Sequence, residues 1–348
     1  MNKQNKKELT MNKLNKIGVS ALCGSLAAIS AAKAGDLSVT GGVDMSWISY
    51  EKQDTGNPIG MGSNLTFSGS GELDNGWSVG LSVANTNANA YSNTNVTVGV
   101  PGLGDFRISQ GVSGSGIDRM DDLTPTVWEE AYGAGLGHTI DTVAGSSGGS
   151  NIEFTPSGTP DGLTARLAYS PKVGGSAAGD KAGSGASTSA KGSGWDLTLE
   201  ATDALTGIEG LTVYGGISEV EVDQTAATWS DDVSERTVGA KYAVGGFTLG
   251  YQWSEEENGK ATGANKYSND GYGITFQVND DLSIGYNHYE SEQSNTTNVT
   301  AEATSYQIAY SMGGASIRLA EIQADNIQYS TAAIDDRDAT VLSVSLAF

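Results

Sequence analysis

The side chains best suited to catalysis or transition-metal binding are few and scattered. His138 and His288 are the only imidazoles and Cys23 the only thiol. His138 sits in "GLGHTI" and His288 at a strand end beside Tyr289, neither at ligand spacing from another His or Cys. That excludes a zinc site or a Ser/His/Asp arrangement built from local motifs. The glycines of "GAGLGH" at 133–138 lack the strand–helix context of a nucleotide loop. Carboxylate pairs are more frequent, at Asp121-Asp122, Glu129-Glu130 and Asp335-Asp336. Paired carboxylates attract hard cations, so a loop-bound Ca²⁺ is an expectation, although no Asp-x-Asp-x-Asp-Gly loop is present. The chemistry these residues favour is electrostatic, and no reaction or required cofactor is indicated.

Two sets of charges stand out by position. The segment from about Gln110 to Ser150 carries Asp118, Asp121, Asp122, Glu129, Glu130 and Asp141, with Arg119 among them. In it, Thr124-Pro125 ahead of "TVWEEAYG" predicts a short helix, capped by Thr124 and stopped at Gly133. Arg107, Arg166, Lys241 and Arg318 each stand singly between less polar neighbours, on the polar parity of alternating segments.

The elements that must hold these charges are strands. Five lysines (Lys3, Lys6, Lys7, Lys13, Lys16) precede an apolar run from Ile17 to about Ala31, and Ala32-Lys33-Ala34 places small residues where a signal peptidase reads. This is the layout of a secretory signal peptide over 1–34, with Met11 an alternative start. Cleavage leaves a single domain over 35–348, with no cysteine, 13 basic and 40 acidic side chains and a net charge of −27. Such a surface repels nucleic acid and draws in cations. After residue 34 no window offers the ~20 apolar residues of a transmembrane helix.

Period-two alternation nevertheless recurs throughout, as in Trp77, Val79, Leu81, Val83 or Phe247, Leu249, Tyr251, Trp253. About sixteen strands are predicted. Tight turns at 74–76, 101–104, 245–246, 279–281 and 313–314 alternate with long polar segments near 50–63, 85–95, 110–150, 170–194, 220–235, 254–270, 290–302 and 322–337. Short turns at one end and long loops at the other describe an all-β, up-and-down antiparallel barrel that spans a membrane. So wide a barrel cannot be filled by side chains, so its lumen is wet, its polar parity faces inward and its apolar parity faces lipid. Tyr and Trp near strand ends (Trp47, Tyr50, Trp77, Tyr169, Trp195, Tyr251, Trp253, Tyr286, Tyr310) fit interfacial girdles. On the lipid face each of the four basic residues would cost ~2–4 kcal/mol, whereas inward they are hydrated.

The chain ends on "TVLSVSLAF", in which Leu342, Val344, Leu346 and Phe348 alternate with small residues. A lipid-facing barrel satisfies its backbone only if its first and last strands pair, so the closing strand must be amphipathic to its end. With the leader, the opening "DLSVTGGVDMSWISY" and the "FRISQG" strand before a long acidic third loop, the chain resembles Gram-negative outer-membrane porins, the alphaproteobacterial general-diffusion porins in particular. The resemblance implies a sixteen-stranded, usually trimeric channel in the outer membrane, set among lipid and lipopolysaccharide, whose third loop folds into the lumen. It implies that the terminal strand is read by the barrel-assembly machinery, and that small hydrophilic solutes diffuse through. The Pro-Glu-Phe-Gly-Gly stretch of enterobacterial members is absent. Within this reading the third-loop acids form a constriction that Arg107, Arg166, Lys241 and Arg318 oppose, and the net charge favours cations. A substrate-selective channel on the same barrel and a secreted β-rich adhesin or binding module are the alternatives.

Overall fold

The computed structural model describes residues 37–51, 56–86, 93–110, 114–133, 136, 140, 142–174, 190–222, 228–294 and 299–347. The leader, His138, Asp141 and Phe348 lie outside them. Sixteen strands follow in order: β1 (Ser38–Tyr50), β2 (Ile59–Glu72), β3 (Ser78–Thr86), β4 (Asn93–Val100), β5 (Gly104–Gln110), β6 (Ser150–Pro156), β7 (Leu163–Ser170) and β8 (Lys191–Ala201). The second half comprises β9 (Leu211–Val222), β10 (Val233–Val244), β11 (Phe247–Glu257), β12 (Lys266–Gln277), β13 (Leu282–Gln293), β14 (Thr300–Met312), β15 (Ala315–Asp325) and β16 (Arg337–Ala347). Each pairs antiparallel with its neighbours in sequence, and β1 pairs with β16 to close the barrel.

The closing seam sets its register by matching like with like. Trp47 lies opposite Leu342, Met45 opposite Val344 and Val43 opposite Leu346, while Ser46 meets Ser343 on the other face. Slipping by one residue would turn every one of these side chains to the wrong solvent. The apolar parity points outward and is bare: Met61 is 74% and Ile59 67% exposed, with Leu81, Ile108, Ile217, Val238 and Leu319 likewise exposed. In water, that much uncovered apolar area would be unfavourable by ~25 cal/mol per Å². The surface is therefore built for hydrocarbon. On β12, β13 and β14 the outward tyrosines Tyr272, Tyr286 and Tyr306 pack in sequence, with ring centroids 6.2 and 5.2 Å apart.

Three features depart from the sequence reading. Tyr50 does not join an outer girdle. It packs against a buried apolar cluster of Ala320, Ile322, Ala324, Ala339 and Val341, all facing inward on β15 and β16. No helix forms over 124–133, and the third loop instead carries a 3-10 turn at Gly116–Met120. The reason is competition. The Thr124 hydroxyl is engaged with the Tyr289 hydroxyl at 2.7 Å and by Asn287 at 2.9 Å, so it caps nothing of its own. Finally, the connection from β8 to β9 is longer than a tight turn and contains one helical turn, α1 (Asp203–Thr206), stopped by Gly207 at φ 70°.

Candidate functional site

The third loop lies along the inside of the barrel wall and is held by polar side chains from eight strands. They include Arg107 of β5 and Arg337 of β16, which donate to the carbonyls of Gly114 and Leu136. Asp196 of β8 accepts hydrogen bonds from the Ile117 amide (3.2 Å), the Ser146 amide (3.1 Å) and the Ser146 hydroxyl (2.7 Å). Glu153 of β6 accepts from the Gly116 amide at 2.8 Å and pairs with Arg119 at 2.5 Å. Glu235 of β10 takes the amides of Ala144 and Gly145, each at 2.7 Å. On β11, Gln252 accepts from the Leu123 amide and donates to the carbonyls of Met120 and Asp121. Asn287 of β13 accepts from the Ala131 amide at 2.9 Å. Gln307 of β14 accepts from the Trp128 amide at 3.1 Å and donates to the Glu129 carbonyl at 2.5 Å. A loop carried into a barrel must satisfy its own backbone, and these inward residues do so amide by amide.

An apolar contact completes the seating. Leu136 is buried among Ala320, Ile322, Ala324, Ile327, Ala339 and Val341, with Trp128, Ile48 and Tyr50 packed on the same patch. The inward parity of β15 and β16 is thus apolar toward the long-loop end, where the loop covers it.

The loop's carboxylates divide into two groups. Asp118 is turned into the loop, where it accepts from the Gly114 amide and from the Ser147 hydroxyl at 3.0 Å. Asp121, Asp122, Glu129 and Glu130 sit further along. Burial, with the neighbouring charge of Asp122 next, pushes Asp121 up to about 8 and Glu130 up to about 7. Glu129 is also raised, by burial and then by Asp44. Its carboxylate accepts no hydrogen bond and forms no ion pair among the described residues.

The four basic wall residues all have neighbours on the lumen side, in three different settings. Arg107 donates to the Gly114 carbonyl at 3.2 Å, at the root of the loop. Both Arg107 and Arg166 are within electrostatic reach of Arg119 and Glu153. Lys241 stands 5.8 Å from the centre of the Tyr214 ring. Arg318 bonds Asp44 of β1 at 3.2 Å and the Ser345 hydroxyl at 2.7 Å. Asp44 also accepts from Ser343 at 2.6 Å and Ser345 at 2.9 Å.

The wall between β1 and β5 has a different character. Its inward residues are Gly60, Gly62, Asn64, Thr66, Ser68 and Ser70 on β2, then Ser78, Gly80, Ser82, Ala84 and Thr86 on β3, then Asn95, Thr97 and Gly99 on β4. Apart from Glu72 at the short-turn end of β2, the inward residues of β2, β3 and β4 are uncharged and small. A pocket of about 440 Å³ separates Trp128, Glu129 and Gly133 of the loop from Asp44, Ser46 and Gly60 of this wall. A second pocket of about 620 Å³ shares Asp44 and Gly62 with the first and continues past Arg318 to the short-turn end. The two describe one passage along β1 and β2.

The sequence did not single out Asp44, Glu153, Glu235, Asn287, Trp128 or Tyr289. Asp196, Gln252 and Gln307 carry no local sequence signal beyond lying on the polar parity of their alternating segments. Chain separation hides their role, since Gln307 meets Trp128 across 179 positions. Among the described residues, no group of three or more His, Cys, Asp or Glu side chains is arranged to hold a metal ion.

Comparison with known proteins gives the architecture its relatives. Residues 18–341 match the family model described as Gram-negative porin. None of the curated proteins matches the chain. Among solved structures, Salmonella typhi OmpF in complex with daunomycin aligns with TM-score 0.65 and 14% identity, over 90% of this chain and 98% of that one. An anion-selective porin from Comamonas acidovorans aligns with TM-score 0.63 and 15% identity, over 90% and 100%. OmpT of Vibrio cholerae, an outer-membrane protein, aligns with TM-score 0.63 and 13% identity, over 90% and 98%. At these identities the structural likeness speaks for the fold, and the family model speaks for descent. The chain belongs to the Gram-negative porin family, and is a sixteen-stranded channel of the outer membrane.

Proposed function

We propose that this porin passes small hydrophilic solutes by passive diffusion and prefers cations. The observation that carries the reading is an asymmetry at the passage. Glu129 of the loop, its carboxylate with no hydrogen bond or ion pair among the described residues, lines the passage across from Ser46, Ile48, Asn57 and Gly60, with Asp122 and Glu130 within electrostatic reach. Among the described residues that line the passage the basic one, Arg318, is bonded to Asp44 and only within longer electrostatic reach of Glu129. Uncompensated negative charge in a narrow, low-dielectric opening raises the local concentration of cations and slows anions. The barrel itself does not decide the sign, since a porin described as anion-selective shares the fold. Arg107, Arg166 and Arg119 form the positive counterpart at the loop root, and the field between them and the loop acids orients dipolar solutes. The test is the reversal potential in a KCl gradient across a planar bilayer. A potential of the sign for K⁺ supports the reading, and one of the sign for Cl⁻ overturns it.

The protein is further proposed to be exported by its 1–34 leader and to associate as a trimer. The outward face of β1–β5 supports the latter, with Val39, Met45, Met61, Phe67, Leu81 and Ile108 bare and no tyrosine or charge among its outward strand positions. Cross-linking through a cysteine placed at Met61 should yield trimers. The alternating terminal strand, Leu342 to Phe348, is the segment proposed to be read during assembly.

A further inference from the structure

We propose that the pocket between the third loop and β1 is a retention site for organic ammonium ions that carry an aromatic or branched hydrocarbon body. This rests on the cation preference proposed above and names the solute class for which the same passage is selective.

Simple sieving needs only a hydrated hole, and most of the passage is lined accordingly by Gly, Ser, Thr and Asn. The pocket at the loop tip is lined differently. Trp128 and Ile48 give it an indole and a branched aliphatic side chain. Beside Asp44, which is bonded to Arg318, it carries Glu129, whose carboxylate has no hydrogen bond or ion pair among the described residues. Its volume of about 440 Å³ falls within the range of small-molecule sites.

The apolar part is rigid. Trp128 and Ile48 pack on the buried cluster around Leu136, and Gln307 fixes the backbone of both Trp128 and Glu129. A preformed aromatic face beside an unpaired carboxylate suits a ligand with a charged head and an apolar body, because cation–π and apolar contacts add to the ion pair. A bare metal ion gains little there, since of the two carboxylates lining the pocket Asp44 is already bonded to Arg318, Ser343 and Ser345, and only Glu129 is left to replace its hydration. A neutral sugar can stack on the indole but brings no charge for Glu129 to pair. An alkylammonium or arylalkylammonium ion uses both halves.

The experiment is titration of phenethylammonium chloride into the bath during K⁺ conduction through the full-length channel in planar bilayers. Methylammonium and 2-phenylethanol serve as the head and body alone. Saturable reduction of the K⁺ current by phenethylammonium, and not by either comparator at the same concentration, is expected. Trp128→Ala should raise the half-blocking concentration by about fivefold, the scale of one cation–π contact with some lost burial. Trp128→Phe should retain most of the block, and Glu129→Gln should weaken it while lowering the K⁺ preference. Equal block by methylammonium, or an unchanged half-blocking concentration in Trp128→Ala, would overturn the site. If Trp128→Ala disturbs the open-channel conductance, the Trp128→Phe and Glu129→Gln pair decides in the same way. Reversal potentials without amine measure the cation preference separately. A channel that is cation-preferring yet unblocked refutes the retention site alone.

Discussion

Arg318 reaches Asp44 across the whole width of β16, its Nη1 lying 3.2 Å from Oδ2, with Ser343 and Ser345 of the intervening strand also bonded to the same carboxylate. The pair is partly exposed, with side chains 23% and 44% accessible, so it contributes about 1 kcal/mol or less to stability. Its effect is on the sign of the passage. Asp44→Asn should leave Arg318 uncompensated and move the reversal potential toward Cl⁻. Arg318→Gln should move it further toward K⁺. Shifts in the same direction for both would contradict the assignment.

Rising pH should increase cation preference. A carboxyl whose pKa is raised is neutral below that value and charged above it. Asp121, near 8, and Glu130, near 7, are therefore mostly neutral at about pH 6 and mostly ionised at about pH 9. Two negative charges develop on the loop between these limits. Asp121→Asn should remove the upper part of the rise and leave the lower part. A selectivity profile flat over this range would sink the prediction.

Asp196 should govern how firmly the loop is seated. It is fully buried and accepts from two amides and a hydroxyl of the loop. Removing it leaves those donors unsatisfied, at ~1–3 kcal/mol each. Asp196→Ala should leave the barrel intact on an unheated detergent gel. It should raise single-channel conductance and current noise, and expose the loop to protease. Unaltered conductance and protection would show that the remaining anchors suffice.

Val344 tests the lipid face. It points outward on β16, opposite Met45 and Ile317. Val344→Arg at mid-depth should cost ~2–4 kcal/mol and lower the yield of heat-modifiable barrel. Normal yield would mean that this position does not contact hydrocarbon.

Strand order and closure were readable because alternation is a local signal repeated sixteen times, and because short and long connections alternate along the chain. The site was readable only as composition. That Asp121, Asp122, Glu129 and Glu130 lie in a long loop follows from spacing, but which wall they face depends on Gln252, Asn287 and Gln307, distant in sequence. Thr124 shows the limit plainly: its local context favours a helix cap, and a tyrosine 165 positions away takes its hydroxyl instead. The inward apolar patch of Ala320, Ile322 and Ala324 was hidden for a related reason. The polar-inward rule describes a lumen in contact with water, and here the loop excludes it.

The seam between β1 and β16 also constrains how the protein is made. It joins Gly42 to Ala347 and Tyr50 to Ala339, the most distant partners in the molecule. Every other ladder forms between sequence neighbours, so a growing sheet extends by hairpins, and only this last pairing removes its two raw edges. The entropy of closing so large a ring rises only with the logarithm of its length, but finding the right register is slow. Were this seam left open, the sheet would carry unpaired amides and carbonyls at both margins, poorly suited to lipid and prone to pairing with other chains. The whole barrel's exposure of raw backbone edges is thus concentrated in two strands, β1 and β16, and is removed by one pairing.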